Sequence, residues 1–330
     1  MAETVQDAVA TPTVEEALDA ALQIAPACRT LRQVAGEVNE SLGLDWTAAK
    51  WRGIWKHEAS AKWRVEKRLG EAHNRHVHGQ KLHLRGNLRG ADINDIHVPY
   101  QDADAIRLAA KIIRWWQPNV LVYNGDLNDF PGLSKWDPNP ARKYRMQDEV
   151  DELQADVLIP LNVAAGKCRK IALPGNHDLR LLKMLWANPE LFSVRALQLP
   201  ELWQTDQLGI EYAGYAVVVN DRLENSHGTR VSAMSGYAAK AELVKRGYSI
   251  STITGHVHRA GRHEFQPPYG PLIVGQESPC LCNLEPEYMV DPNWVQGLTL
   301  WETRAADVWI EAVTFGRDYT AQVGDKRFGL

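Results

Sequence analysis

"LPGNHDLRL", residues 173–181, sets a polar loop between an apolar run and a helix-like segment. Gly175, Asn176, His177 and Asp178 place a glycine, an amide, an imidazole and a carboxylate in consecutive positions. Asn and Asp cap helices and glycine takes unusual backbone angles. That accounts for Gly175 and Asp178 but leaves His177 without a task. Upstream, "NVLVYNGD" has the same design as "CRKIALPGNHD": an apolar strand that ends in a charged loop. Such strand ends are where α/β proteins place their sites. "RLAAKIIRWW" reads as an amphipathic helix, and the chain from "YAVVVNDRLENSHG" onward is richer in β pattern. The helix-like "SGYAAKAELVKRG" is interposed there before "YSISTITGHVHR". Periodicity therefore predicts an α/β body with more than one sheet.

The chain has 330 residues, 45% hydrophobic and 24% charged, which are values of a folded globular protein. Its net charge of −4 hides an asymmetry. Residues 1–25 carry five acids and no Lys or Arg, whereas residues 26–90 carry thirteen basic against six acidic side chains. A mobile acidic tail (1–25), with at most a short acidic helix, thus precedes a basic module and linker (26–90) and a more acidic body (91–330). The start "MAETVQDAVATPTVEEALDAALQ" has no basic segment followed by an apolar block, and no later run is long enough to span a bilayer. These features point to the cytoplasm. Cys28, Cys168, Cys280 and Cys282 form no C-x-x-C pair and no disulfide framework. Cys280-Leu-Cys282 has soft-metal chemistry, but its segment offers too few further ligands for a zinc site.

From Thr30, "TLRQVAGEVNESLGLDWTAAKWRGIWKHEA" has Thr30 and Gln33 spaced as a capping box, and Leu31, Val34, Ala35, Val38 and Leu42 on one helical face. Gly43 breaks this helix, and Asp45 is placed to cap a second one. The pair resembles a helix-turn-helix, with Lys50, Arg52, Lys56, Lys62 and Arg64 along the second helix and its extension. Nucleic-acid contact and a solvated basic face are the two readings. Trp51 and Trp55, four apart, are expected in the core. His76, His78 and His83 lie in an alternating, strand- or linker-like tract and are expected on the surface.

Five polar bursts follow apolar runs in chain order: Asp95 and His97; Asp126, Asn128 and Asp129; Asn176, His177 and Asp178; His227; His256 and His258. Acids and imidazoles converging on one sheet edge require cations, and mixed O and N donors suit Mn, Fe, Zn or Ni better than calcium. In an extended chain, the i, i+2 pairs Asp95/His97 and His256/His258 would point the same way. One such motif is weak; five in order, each after its own strand, are specific.

With these motifs the chain resembles the calcineurin-like metallophosphoesterases, whose signature runs D-x-H, G-D-x-x-D, G-N-H-[DE], a lone H, then G-H-x-H. The likeness covers about residues 91–285, and "DIHVPYQD" and "CLCNLEPEYMVDPNWVQG" look like members encoded in phage genomes, some with an N-terminal helix-turn-helix. The resemblance implies an α/β fold: a β-sandwich with helices on both outer faces (α/β/β/α), here preceded by the small helical module. It implies two divalent ions, with manganese the first choice. Asp95, His97, Asp126 and His258 would hold one ion, and Asp126, Asn176, His227 and His256 the other. A metal-bridging hydroxide would attack phosphorus. His177, oriented by Asp129 and flanked by Asp178, would assist the leaving oxygen, which gives the idle imidazole its task. One departure is "GADINDIHV", where Asp92 and Asn94 interrupt a normally apolar strand; Asp92 is expected on an outward face, or the strand at an edge.

Arg180, Arg230 and Arg259 lie near these ligands in sequence and are candidates to bind a phosphate oxygen. The favoured reading is a phosphodiesterase acting on nucleic acid or cyclic nucleotides, because a basic module would bring such a substrate to the metals. Phosphomonoesterase activity on proteins or small molecules is the alternative within the enzyme class, and a non-catalytic DNA-binding or scaffold protein the alternative outside it. Trp294, Trp301 and Trp309 are expected to pack within the sheet completed by "LTLWETRAADVWIEAVTF".

Overall fold

The computed structural model describes residues 12–24, 31–57, 81–135, 145–286, 291–304 and 307–330. The chain divides into two compact units, Met1–His78 and Gly79–Leu330. Thr30, Lys62, Arg64, His76 and His78 lie outside the described residues. No helix among the described residues is long and apolar enough to cross a membrane.

In the first unit, α1 (Val14–Ile24), α2 (Leu31–Leu42) and α3 (Ala48–His57) share a small core that includes Ala17, Val34, Val38, Trp51 and Trp55. Thr13 and Glu16 close a capping box at the start of α1, with Glu16 N donating to Thr13 Oγ1 and Thr13 N to Glu16 Oε2. Gly43, at φ +62°, ends α2 as expected. The cap of α3 is Thr47, whose Oγ1 accepts from Lys50 N at 3.3 Å; Asp45 does not serve there. Trp51 stacks on Trp55 at 5.2 Å and donates its indole N–H to Asn39 Oδ1. Lys50, Arg52 and Lys56 are exposed.

The second unit is a two-sheet sandwich. One sheet has the order β12-β11-β2-β3-β4-β5, from β2 (Leu88–Ile93), β3 (Val120–Asn124), β4 (Arg169–Leu173), β5 (Ile210–Tyr212), β11 (Gly297–Arg304) and β12 (Asp307–Thr314). The other has the order β1-β6-β7-β8-β10-β9, from β1 (Lys81–Leu84), β6 (Ala216–Val219), β7 (Leu223–Ser226), β8 (Ser251–Thr254), β9 (Arg262–Phe265) and β10 (Ile273–Glu277). A hairpin of β13 (Thr320–Val323) and β14 (Lys326–Gly329) completes the strands.

Period-2 alternation assigns each sheet its faces. Val120 and Val122 of β3 and Ile171 and Leu173 of β4 fill the space between the sheets with Val217, Ile253 and Trp301. Leu121, Tyr123 and Ala172, the alternate residues, meet the outer helical layer of α4 (Ala103–Trp116), α5 (Met146–Glu152) and α6 (Ile159–Ala165), the last two joined by a π-helical segment, Leu153–Leu158. Asp102 caps α4 by accepting from Asp104 N and Ala105 N, and the α4 stripe Ile106, Leu108, Ile112, Ile113 is buried. On the far side, α8 (Tyr237–Lys245) packs on β8, β9 and β10; α7 (Asp178–Ala187) follows β4. This is the α/β/β/α sandwich.

Further local expectations change. β2 is not an edge strand: it pairs with β3 on one side and β11 on the other. Asp92 is fully buried and faces the inter-sheet core, where Trp301 Nε1 donates to its Oδ2. Burial holds its carboxyl well above the usual range. Trp301 packs as expected, whereas Trp309 remains 44% exposed.

A buried ionic network joins the layers of the β1 sheet. Arg246, just after α8, donates Nη2 to Glu224 Oε1 of β7 at 2.5 Å and Nη1 to Glu242 Oε2 at 2.5 Å, while Lys81 Nζ of β1 reaches Glu224 Oε2 at 2.6 Å. Burial alone would raise both glutamates, but Lys81 and Arg246 hold Glu224, and Arg246 with the Thr229 amide holds Glu242, below the ordinary value of 4.5. Arg246→Met should destabilise the fold by about 3 kcal/mol, because two buried carboxylates each lose a cation at 2.5 Å. With folded-state values lowered, the network's contribution is full above pH 4.5 and disappears as pH falls through the folded values. Urea unfolding at pH 7 and pH 3.5 checks both, with the gap between wild type and variant shrinking at the lower pH.

Candidate metal centre

The C-terminal ends of β2, β3, β4, β7 and β8 deliver Asp95/His97, Asp126/Asp129, Asn176/His177, His227 and His256/His258 to one place. The loops are laced together by backbone hydrogen bonds: Asp95 N to Gly125 O, Ile96 N to Asp126 O and Val98 N to Leu127 O. Asp95, His97, Asp126, His256 and His258 all have left-handed φ, between +51° and +73°. Side chains in that conformation cost about 1–3 kcal/mol each and persist where surrounding structure over-determines them. The pairs Asp95/His97 and His256/His258 therefore converge through a reversed backbone and not through strand alternation.

Two clusters of donors result: Asp95, His97 and His258, and Asp126, His227 and His256, with the ligand atoms of each cluster within 4.8 Å of one another. Asp126 Oδ2 lies 3.1 Å from His227 Nε2 and 3.7 Å from His97 Nε2, so this carboxylate borders both groups. Asp95 Oδ1 is 3.3 Å from His258 Nε2. Asn176 Oδ1 is 3.1 Å from His227 Nε2. His97, Asp126 and His177 also satisfy the spacing of a ligand group.

The imidazoles are oriented alike. His97 Nδ1 meets Asp129 Oδ1 at 3.1 Å, His227 Nδ1 meets the Asn124 carbonyl at 2.9 Å, and His258 Nδ1 meets Cys282 Sγ at 3.8 Å, so each turns Nε2 inward. This outer-partner pattern fixes the tautomer of metal-binding histidines. His97 Nε2 and His258 Nε2 stand 3.1 Å apart. Two ring nitrogens at that distance need a proton or a cation between them. Burial alone would push Asp95 and Asp126 up, but surrounding histidines hold both carboxyls well below the usual range. Burial alone would lower His227, yet Asp126 brings it up to about 9, and Asp129 and Asp95 hold His97 well above its ordinary value. Burial holds His256 and His258 below the ordinary value, and the donor set of buried carboxylates and imidazoles fits divalent ions.

At the rim, His177 is 21% exposed in its side chain, with Nδ1 2.7 Å from Asp129 Oδ1. Arg180 Nη1 donates to the Asp129 carbonyl at 2.7 Å, and its Nη2 is 3.3 Å from His177 Nε2. Arg259 is tied to Asn293 Oδ1 and the Ser232 carbonyl, and Arg230 is exposed.

Asp178 sits differently from the catalytic expectation. Fully buried, it accepts from Leu127 N, Asn128 N and Gly175 N, clamping the β3 loop to the β4 loop. Burial, with the charge of Asp126 behind it, raises its carboxyl to about 7. Its geometry is that of a positioning group.

A model of the calcineurin-like phosphoesterase family matches residues 92–266, the stretch that carries every one of these donors. The chain belongs to that family. The phosphoesterase is 25% identical over 222 residues to the Gene 54 protein of Mycobacterium phage L5, a match covering 63% of this chain and 86% of that one. It is 24% identical over 225 residues to the Gene 54 protein of Mycobacterium phage D29, with the same coverage. A solved Vps29 double mutant from Entamoeba histolytica is similar at 12% identity and a TM-score of 0.39, covering 73% of this chain and 99% of that one. The protein is a metal-dependent phosphoric ester hydrolase.

Contacts whose roles the sequence did not show complete the phosphoesterase site. Asn94 Nδ2 contacts the Asp95 carboxylate, Cys282 and the Asn124 carbonyl hold histidines, and Trp294, expected to pack within the sheet, lies outside the strands with its ring edge-on to His258 at 4.2 Å. Asn94 is the immediate neighbour of the group it contacts, whereas the others act across loops distant in sequence, where no local pattern marks them.

Gly175 explains the glycine before Asn176: a Cβ there would lie 2.1 Å from Asp126 Oδ1 and 2.3 Å from Asp126 N. Gly175→Ala should therefore displace Asp126 and lower divalent-ion affinity at least tenfold. Isothermal titration with Mn²⁺ measures this, and unchanged affinity would mean the loop yields without moving Asp126.

Proposed function

We propose that the enzyme is a phosphodiesterase using two divalent ions, manganese the first choice, on nucleic acid or cyclic nucleotides. The observation that carries the reading is the Asp126 carboxylate bordering two adjacent clusters of buried donors. Asp95, His97, Asp126 and His258 would hold one ion, and Asp126, Asn176, His227 and His256 the other. When bound, such a pair lowers the pKa of a shared water and neutralises the attacking and leaving oxygens of an in-line displacement.

The chain's own groups do the rest. His177 stands at the open rim and carries a proton toward the leaving oxygen, held in orientation by Asp129 at 2.7 Å. Asp129 also steadies His97, so one carboxylate couples a ligand to the acid. Asp178 holds the two loops in register through three backbone amides.

Diester preference has its own support. Two of the three candidate arginines, Arg180 and Arg259, are engaged by Asp129, Asn293 and Ser232. A dianionic monoester calls for more free cations than a singly charged diester, and only Arg230 among the three is free of such partners. The exposed Lys50, Arg52 and Lys56 of α3 support nucleic-acid contact by the helix-turn-helix-like module. Such a substrate agrees with the cytoplasmic placement read from the sequence.

Chelator-sensitive hydrolysis of bis-p-nitrophenyl phosphate over p-nitrophenyl phosphate with Mn²⁺ is the expected result; preference for the monoester overturns the diester reading. His177→Ala should cut turnover about 10²- to 10⁴-fold with metal content unchanged, whereas Asp126→Asn should lose metal and activity together. A truncation at Gly79, which keeps β1 and β2 in their sheets, should abolish DNA binding in gel shifts and retain hydrolysis of the small diester.

A further inference from the structure

Cys280-Leu-Cys282 lacks ligands within its own segment, and the fold supplies one. Cys280 forms an isolated β-bridge with Gln296 and Cys282 one with Gln101, so the stretch is extended and its alternate side chains fall on one side. Both cysteines are buried, at 0% and 2% exposure. His258 stands beside them: its Nδ1 is 3.8 Å from Cys282 Sγ, and ligand atoms of Cys280, Cys282 and His258 all lie within 4.8 Å of one another.

The spacing is that of a metal site. A tetrahedral ion with bonds of about 2.3 Å to sulfur and about 2.1 Å to nitrogen sets those two atoms about 3.6 Å apart. The observed separation requires a shift of only a few tenths of an ångström. The Val295 carbonyl, which accepts from Cys280 Sγ at 3.4 Å, puts an oxygen next to the same group. Two thiolates would cancel the charge of a divalent ion, and sulfur selects zinc or copper(I) over manganese and magnesium.

We infer that Cys280, Cys282 and Nδ1 of His258 form a site for a thiophilic metal ion, zinc in the first instance, directly behind the hydrolytic centre. His258 joins the two sites. Its Nε2 faces Asp95 Oδ1 at 3.3 Å while Nδ1 faces the sulfurs. A neutral imidazole offers one lone pair, so an ion on Nδ1 withdraws the donor from the Nε2 side. Zinc at the sulfurs therefore weakens one ion of the catalytic pair and slows hydrolysis. This coupling rests on the dinuclear reading proposed above; the sulfur site itself does not.

The test is a titration of the Mn²⁺-saturated full-length protein with Cd²⁺, a spectroscopic stand-in for zinc, followed by thiolate-to-metal charge-transfer absorption in the ultraviolet. The expected band saturates at one ion per chain, survives in C28S/C168S, and is lost in C280S and in C282S. No band, or a band that persists in both C280S and C282S or vanishes in C28S/C168S, overturns the site. In parallel, Zn²⁺ inhibition of diester hydrolysis should need at least tenfold more zinc in C282S than in wild type. Equal inhibition in the two, with the band present only in wild type, would overturn the coupling and leave the sulfur site standing.

Discussion

Two buried carboxylates, Asp95 and Asp126, at the junction of two sheets are the constraint on which the rest of this structure depends. Like charges in a low-dielectric interior repel and are poorly solvated, so each needs positive partners on several sides. Histidines from the ends of β2, β4, β7 and β8 lie beside them, and divalent ions would complete the balance. Much of the surrounding fold is the consequence. The loops after β2 and β3 are stitched by backbone hydrogen bonds, the β4 loop donates His177 N to Asp126 Oδ1, and the β8 loop donates His256 N to Asp95. Five donors accept left-handed backbone angles to reach their places. Rigidity comes from the sandwich beneath, which is closed by β-branched and leucine side chains and by Trp301.

The second level of organisation lies behind the donors. Asp129, the Asn124 carbonyl and Cys282 each take the Nδ1 side of one histidine and leave Nε2 to the centre. Asp178 does for the backbone what these groups do for the rings. A hydrolytic centre depends on such outer contacts, since a ligand displaced by 1 Å misplaces the reacting atoms. The same layer connects the chemistry to other parts of the molecule: Asp129 leads to His177 and Arg180 at the rim, Cys282 to Cys280 at the back.

Much of this was legible in the chain itself. β3, β4 and β8 announce themselves as apolar runs that end in Gly plus charged residues, and α4 by its 3.6-residue stripe. Five motifs in order were enough to single out the acids and imidazoles that the fold gathers into two clusters, because their chemistry has few other uses in combination. Asp92 departs from the expected solvent-facing position because desolvation in the inter-sheet core raises its carboxyl and Trp301, 209 positions away, supplies a partner. The cap of α3 slipped from Asp45 to Thr47 because either residue has the chemistry, and only the helix start decides between them.

What the sequence alone determined is therefore local: which segments alternate with period 2 or 3.6, which residues can ligate or transfer protons, and in what order they come. What only the tertiary structure decided is direction and partnership. It set β2 between β3 and β11, turned Asp178 onto three amides, and brought the second nitrogen of His258 to Cys282, 24 residues away. The physical reason is one of range. Periodicity follows from bonded geometry between near neighbours, whereas burial, charge compensation and the side a ring presents depend on groups that meet only once the sheets have closed.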